Sequence, residues 1–302
     1  MATYDLNQFI DDDGNIYNFT DDDAQATADA ALALATASSR TANGIGQTVS
    51  NYVQLGRNLA TEFAYEIGST PIATWLKNRV TQGKYSDLQI GDYVTIVLNN
   101  TAHTSMIYQI AGFDQYYGVG DTINGRMIAM VPAIAYPEAV KFNETSTNNG
   151  NADETSPWRA SGLFEWMNET FLGYLPTEWQ AVIKNIRVYN PVRYTNGSTL
   201  TADNGGKWMD LGKIWAPSEI EVWGAVRCST PQNGETLMAN TDKQLPIFEN
   251  GRSVIRSRLY WWERSVAAAS STHACYVYNT GHANCHSVTY ENVRPLPCFY
   301  VG

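Results

Sequence analysis

Two aromatic and proline-rich segments near the end of the sequence constrain this chain more than any other feature. Tyr260-Trp261-Trp262-Glu263-Arg264-Ser265 and Val293-Arg294-Pro295-Leu296-Pro297-Cys298-Phe299 carry large apolar groups that call for a packed core. The window between them, residues 265–290, contains no Lys, Gln, Met, Trp, Glu or Arg. It holds instead three of the chain's four histidines, His273, His282 and His286, together with Cys275, Cys285, Tyr276 and Tyr278. A fold that accepts this stretch must bury the bracketing segments and support the insert between them. An insert rich in contact-making side chains and poor in long charged ones reads as a displayed binding surface.

The rest of the chain can supply such a core. Its 302 residues are 44% hydrophobic and 12% aromatic, a globular composition. A formal net charge of -10 and a pI near 4.8 argue against nucleic acid as a partner, because phosphate binding needs clustered Lys and Arg. Met1-Ala2-Thr3-Tyr4-Asp5 lacks a basic segment followed by an apolar one, and no stretch approaches the roughly 18 apolar residues that span a bilayer, so neither export by a signal nor membrane insertion is expected. Cys228, Cys275, Cys285 and Cys298 lack the density of a disulfide scaffold and are read as reduced, with a Cys228–Cys298 bridge left open.

The first fifty residues differ in texture and form one expected unit, residues 1–50, that anchors or oligomerises the chain. Asp11-Asp12-Asp13-Gly14-Asn15 predicts a turn, and Thr20-Asp21-Asp22-Asp23 caps an Ala-rich helix over 24–40. With only Leu32 and Leu34 as sizeable apolar groups, that helix needs copies of itself or another protein to pack on. Residues 51–302 predict a compact α+β domain. Pro71 starts a helix with Ile72, Trp75, Leu76 and Val80 on one face. Two β-rich runs, 93–98 and 105–113, predict a hairpin after Gly91-Asp92. Ser156-Pro157 predicts the start of a helix bearing Leu163, Trp166, Met167 and Phe171. Thr177 caps a shorter one with Trp179, Val182 and Ile183, and Ser218 precedes a turn bearing Ile220, Val222 and Trp223.

The order of these segments resembles a known family. Gly91-Asp92-Tyr93 with its hairpin, Ser156-Pro157-Trp158 to Trp166-Met167-Asn168, Ile214-Trp215-Ala216-Pro217-Ser218, Tyr260-Trp261-Trp262-Glu263-Arg264-Ser265 and Val293-Arg294-Pro295 are similar, in order, to a C-type-lectin-like domain of gut bacterial surface proteins and their phages. The resemblance covers roughly residues 60–302 and extends to the fold shared by formylglycine-generating enzymes and the phage major tropism determinant. It implies two main helices and small twisted antiparallel sheets holding a variable face, behind a helical N-terminal stalk. In relatives diversified by adenine mutagenesis of Asn-type codons the reachable residues exclude Lys, Glu, Gln, Met and Trp, and every residue of 265–290 fits that alphabet. The resemblance thus implies a phage virion fibre or adhesin, possessing no catalytic function and assembled in the bacterial host cytoplasm. It would join other virion proteins through its N-terminal segment as a homotrimer and attach to a host cell-surface protein or glycan. A structural capsid decoration or head-fibre protein without a receptor is the alternative.

Within the insert, Tyr276, Tyr278 and His282 offer broad contact area, while Asn279, Thr280, Asn284 and His286 supply adaptable hydrogen bonds. Trp261, Trp262, Arg264 and Arg294 are its expected scaffold, with Glu263 and Arg264 as a structural pair. Other chemistry has less behind it. A zinc site from His273, Cys275, His282, Cys285 and His286 lacks a Cys-x-x-Cys knuckle, and copper held by Cys275 with Cys285, or Cys285 with Cys298, rests on the fold resemblance alone. His103 has no nucleophile elbow beside it and is expected to be a structural or surface histidine. No cofactor and no metal are therefore expected.

Overall fold

The computed structural model describes residues 8–10, 16–18, 48–49, 53–148, 156–196, 199–229, 244–249, 254–268 and 270–302. The Ala-rich segment 24–40 and its Thr20-Asp21-Asp22-Asp23 cap lie outside the described residues. The chain divides into two compact units, Met1–Ile45 and Gly46–Gly302. In the first, β1 (Gln8–Ile10) pairs antiparallel with β2 (Ile16–Asn18), with Ile10 opposite Ile16; the turn expected over Asp11-Asp12-Asp13-Gly14-Asn15 lies outside the described residues.

The second unit contains strands β3 (Thr48–Val49), β4 (Val53–Gln54), β5 (Tyr93–Val97), β6 (Ser105–Phe113), β7 (Ile128–Pro132), β8 (Ile183–Lys184), β9 (Arg187–Asn196), β10 (Thr199–Asp210), β11 (Ile214–Trp215), β12 (Trp261–Val266), β13 (His273–Val277), β14 (Ala283–Ser287) and β15 (Cys298–Val301). All pair antiparallel, and with the helices they make an α+β unit. The largest sheet runs β11-β15-β7-β6-β5, with β8 also on β15. The final strand is therefore internal: Phe299 pairs with Met130 and Tyr300 with Ala129 on one side, while β11 and β8 share the other. A strand covered on both edges and both faces must be apolar throughout, and every residue of β15 is buried. At the sheet's outer edge β5 alternates instead, burying Val94 and Ile96.

Helix Ile72–Gln82 forms as its spacing predicts, burying Trp75, Leu76 and Val80. Pro71 stands at the N-cap, and Gly83, left-handed at φ 64°, closes the C-terminus. The second long helix begins later than Ser156-Pro157 predicts. Ser156 makes only a turn, its carbonyl accepting from the Ala160 N–H, because Trp158 is drawn into the core with Nε1 donating to the Leu211 carbonyl at 2.9 Å. Ser161 is the cap, its Oγ accepting from the Phe164 N–H at 3.0 Å. The helix runs as Gly162–Glu165, a π-helical Trp166–Phe171 and Leu172–Tyr174. Asn168 occupies the widened turn, donating to the carbonyls of Phe164 and Ile214 and so fastening the helix to β11. Thr177 is likewise not a cap: Pro176 holds that position, the helix Thr177–Gln180 is one turn long, and Ile183 has already entered β8.

Ser218 caps Glu219–Trp223 with a reciprocal capping box, in which Ser218 Oγ accepts from the Glu221 N–H at 3.3 Å and Glu221 Oε2 from the Ser218 N–H at 2.9 Å. Ser218→Ala is expected to cost about 1 kcal/mol, because the buried Glu221 N–H loses its acceptor while the other half of the box, from the backbone N–H of residue 218 to Glu221, remains; a urea midpoint unchanged from the parent would count against that role. No helix among the described residues is long and apolar enough to cross a membrane.

Candidate functional site

The two bracketing segments are buried as a frame. Trp261 and Trp262 are fully buried, their indole N–H groups donating to the carbonyls of Val254 at 3.1 Å and Val140 at 2.8 Å. Backbone bonds from Trp262 N–H to the Arg294 carbonyl and from Arg294 N–H to the Tyr260 carbonyl, both 2.9 Å, lock the segments to each other. The Arg294 side chain donates to the carbonyls of Pro137 and Asn292. Asn148, fully buried, donates through Nδ2 to the carbonyls of Ser270 at 2.7 Å and His273 at 2.6 Å, clamping the root of the insert.

Arg264 does not pair with Glu263. It grips Glu221 with both terminal nitrogens, Nη2 to Oε1 at 2.9 Å, and donates to the Ala216 carbonyl at 2.9 Å. Adjacent residues of a strand point to opposite faces, so Glu263 faces the other way and accepts from Trp223 Nε1 at 2.8 Å. Burial works against the Arg264 charge, but Glu221 more than offsets it and the guanidinium's pKa is raised. Tyr116 completes the group, its hydroxyl donating to Glu221 Oε1 at 2.5 Å.

The insert adds β13 and β14 to the frame strand β12 as a three-stranded sheet, β12-β13-β14, with Trp261 opposite Val277, Trp262 opposite Tyr276, Tyr276 opposite Asn284 and Ala274 opposite His286. The alternation sets Tyr276, Asn284 and His286 on one face. The turn is tight: Tyr278 N–H donates to the His282 carbonyl at 2.9 Å and Gly281 takes φ 87°. Rings gather along that face. Tyr278 stacks on His282 at 4.6 Å, Tyr260 lies 4.8 Å from Tyr278, and His286 stacks on Tyr290 at 3.9 Å.

The seven expected contact residues occupy different depths. Thr280 and His282 are exposed, with Thr280 Oγ1 and His282 Nδ1 sharing a hydrogen bond at 2.9 Å. Tyr278, Asn279, Asn284 and His286 are half-buried, and Asn284 Oδ1 accepts from the Cys285 N–H. Tyr276 is only 3% exposed, wedged among Tyr260, Trp262, Tyr278 and His286, with burial pushing its hydroxyl up to about 12. It is therefore a core residue under the face, not a contact on it. Burial, with His273 nearby, lowers the pKa of His286, whose Nδ1 is buried without a partner. Tyr260 and Tyr290 were not anticipated as part of the face. The signal for Tyr260 is its two-residue offset from Trp262, and for Tyr290 its neighbourhood to His286 beyond the strand.

The five residues weighed as zinc ligands and set aside do not form one cluster among the described residues. His273 Nδ1 bonds with Ser270 and Thr272, His282 Nδ1 with Thr280, and among the described residues one group of potential metal-ligating atoms lies close together: Glu219, Glu263 and Cys275. All four cysteines are free, and Cys298 donates to the Leu296 carbonyl, so the Cys228–Cys298 bridge left open from the sequence is not formed. Cys275 and Cys285 are cross-strand neighbours. His103 sits 3.0 Å from Glu138 and edge-on to Tyr136, a structural setting.

Residues 126–300, from just before the strand β7 into β15, match a family described as a domain of unknown function, DUF6273. The chain belongs to that family. The DUF6273 region thus includes the frame, the insert and the internal C-terminal strand. No curated protein and no solved structure matches the chain.

Proposed function

We propose that this DUF6273 protein is a non-enzymatic phage virion fibre or adhesin, in which a C-type-lectin-like domain presents the face around Tyr278, Thr280 and His282 to a host cell-surface protein or glycan. The observation that carries the reading is the division of labour at the C-terminal end. The frame residues Trp261, Trp262 and Arg264 are buried and internally bonded, whereas the compositionally restricted insert extends their strand into a sheet with aromatic rings, hydroxyls and imidazoles at its accessible side. Such a surface tolerates changes in its contact residues because the backbone ladder and the clamps beneath it do not depend on them. Diversification of 265–290 by a retroelement fits that arrangement, as does a homotrimer formed through residues 1–50 that joins the chain to other virion proteins and multiplies weak contacts.

The test is retention of labelled full-length protein on whole cells of candidate bacterial hosts. Thr280→Ala combined with His282→Ala is expected to lower retention at least tenfold, with stability changed by no more than about 1 kcal/mol. Retention that ignores both substitutions on every host that binds the parent would remove this face from attachment. Light scattering of the full chain is expected to return the mass of three chains, and a monomer would remove the stalk.

A further inference from the structure

The opposite face of the insert's sheet carries a second, closed constellation. Glu219, at the start of its helix, Glu263 on β12 and Cys275 on β13 are each at most 1% exposed, and one ligand atom from each lies within 4.8 Å of the other two. Glu263 is the informative member. Its Oε1 accepts from Trp223 Nε1, but its Oε2 is fully buried and meets neither a donor nor an acceptor. A buried carboxyl oxygen left unpaired is costly whether or not it is protonated, because a neutral acid would need an acceptor for its proton. Glu219 is oriented by four donors, the N–H groups of Arg227, Cys228 and Ser229 and the Ser229 hydroxyl, of which its Oε1 takes only the Cys228 N–H. Two further thiols adjoin the group: Cys285 is the cross-strand partner of Cys275, and the free thiol of Cys228 lies beside that of Cys285.

We propose that Glu219, Glu263 and Cys275 form a structural site for a zinc-class divalent cation, with one thiolate of the neighbouring Cys228 and Cys285 as the fourth ligand. Three atoms at most 4.8 Å apart lie within about 2.8 Å of a common centre, so a contraction of about 0.5 Å for the sulfur and about 0.7 Å for the oxygens reaches zinc's bond lengths. Mixed carboxylate and thiolate donors suit zinc and cobalt better than calcium or magnesium, which take oxygen alone. The ion would be closed off from solvent and would bind the helix Glu219–Trp223 and the segment after it to the display hairpin. It would thus brace the face from behind without taking part in any reaction. The spacing along the chain gives no warning of such a site, because its ligands come from three separate elements and two of them are glutamates.

Full-length protein, reduced and equilibrated with zinc or with cobalt alone, tests this. About one equivalent of zinc per chain is expected by elemental mass spectrometry, together with a thiolate-to-cobalt charge-transfer band in the near ultraviolet and a melting temperature that falls on chelation. Cys275→Ser is expected to weaken the band, because it removes one of the two thiolates. Glu263→Gln, which can keep the Trp223 hydrogen bond, is expected to weaken cobalt binding at least tenfold while the far-ultraviolet circular dichroism stays that of the parent. Folded parent protein that takes up less than about a tenth of an equivalent of either metal would overturn the proposal. So would cobalt binding unaffected in a folded Glu263→Gln variant.

Discussion

Replacing Arg264 with leucine is expected to lower the unfolding free energy by about 3–5 kcal/mol, a large part of the 5–15 kcal/mol that a domain usually has. The variant loses little packing but strands Glu221, which is fully buried and would retain only the Tyr116 hydroxyl and the Ser218 N–H as donors. An unpaired carboxylate in that position is the dominant cost. The pair itself contributes far less, since its members were desolvated to form it. Glu221→Leu combined with Arg264→Leu should therefore recover most of the loss, stopping about 1 kcal/mol short because the capping box around Ser218 disappears with Glu221. Guanidinium unfolding with an unchanged slope measures both variants. If the single substitution is as mild as an ordinary surface change, within about 0.5 kcal/mol, the network around Glu221 is not what secures β12 to the helix beneath it.

The elements that were legible in the sequence are those in which one periodicity and one stop signal agree. The helix Ile72–Gln82 and the β5–β6 hairpin form where spacing places them, and Ser218, expected before a turn, caps the short helix Glu219–Trp223. Where two signals competed, burial decided. Ser156-Pro157 is a good helix start locally, yet Trp158 contributes more by entering the core than the backbone would by continuing as helix, so the start moves to Ser161. The long β9–β10 hairpin was missed although Asn196-Gly197 is a hairpin signal, because Pro191 argues against a strand; in a two-stranded ribbon with Gly206 opposite, a missing donor is tolerated. At the site, composition marked the insert and its frame, but depth was not readable. Strand alternation fixes which residues share a face, whereas what stands above a given residue depends on neighbours from elsewhere, such as Tyr260 over Tyr276. Long-range polar partners were equally hidden: Glu221 lies 43 positions from Arg264, and nothing local distinguishes it from Glu263.

That difference in depth separates the binding reading from a purely structural one. Tyr276→Ala is expected to cost about 3–5 kcal/mol of stability, since it empties a ring-sized space beneath Tyr260, Tyr278 and Trp262, and any loss of attachment would follow from the damaged fold. Tyr278→Ala removes a half-buried ring that stacks on exposed His282, so its stability cost is expected near 1 kcal/mol. If Tyr278 anchors a receptor, its truncation should cost a further 2 kcal/mol or so of binding, roughly a thirtyfold loss of affinity. Tyr276→Phe supplies the control, because it keeps the buried ring and should leave both quantities near the parent. The informative outcome is the ratio: binding falling far more than stability at Tyr278, and stability falling first at Tyr276. Equal losses of folding at both positions would make Tyr278 a core residue as well, and the contact surface would then shrink to Thr280, His282 and the polar groups at the hairpin's tip, too small a set to anchor a receptor without the avidity of several copies.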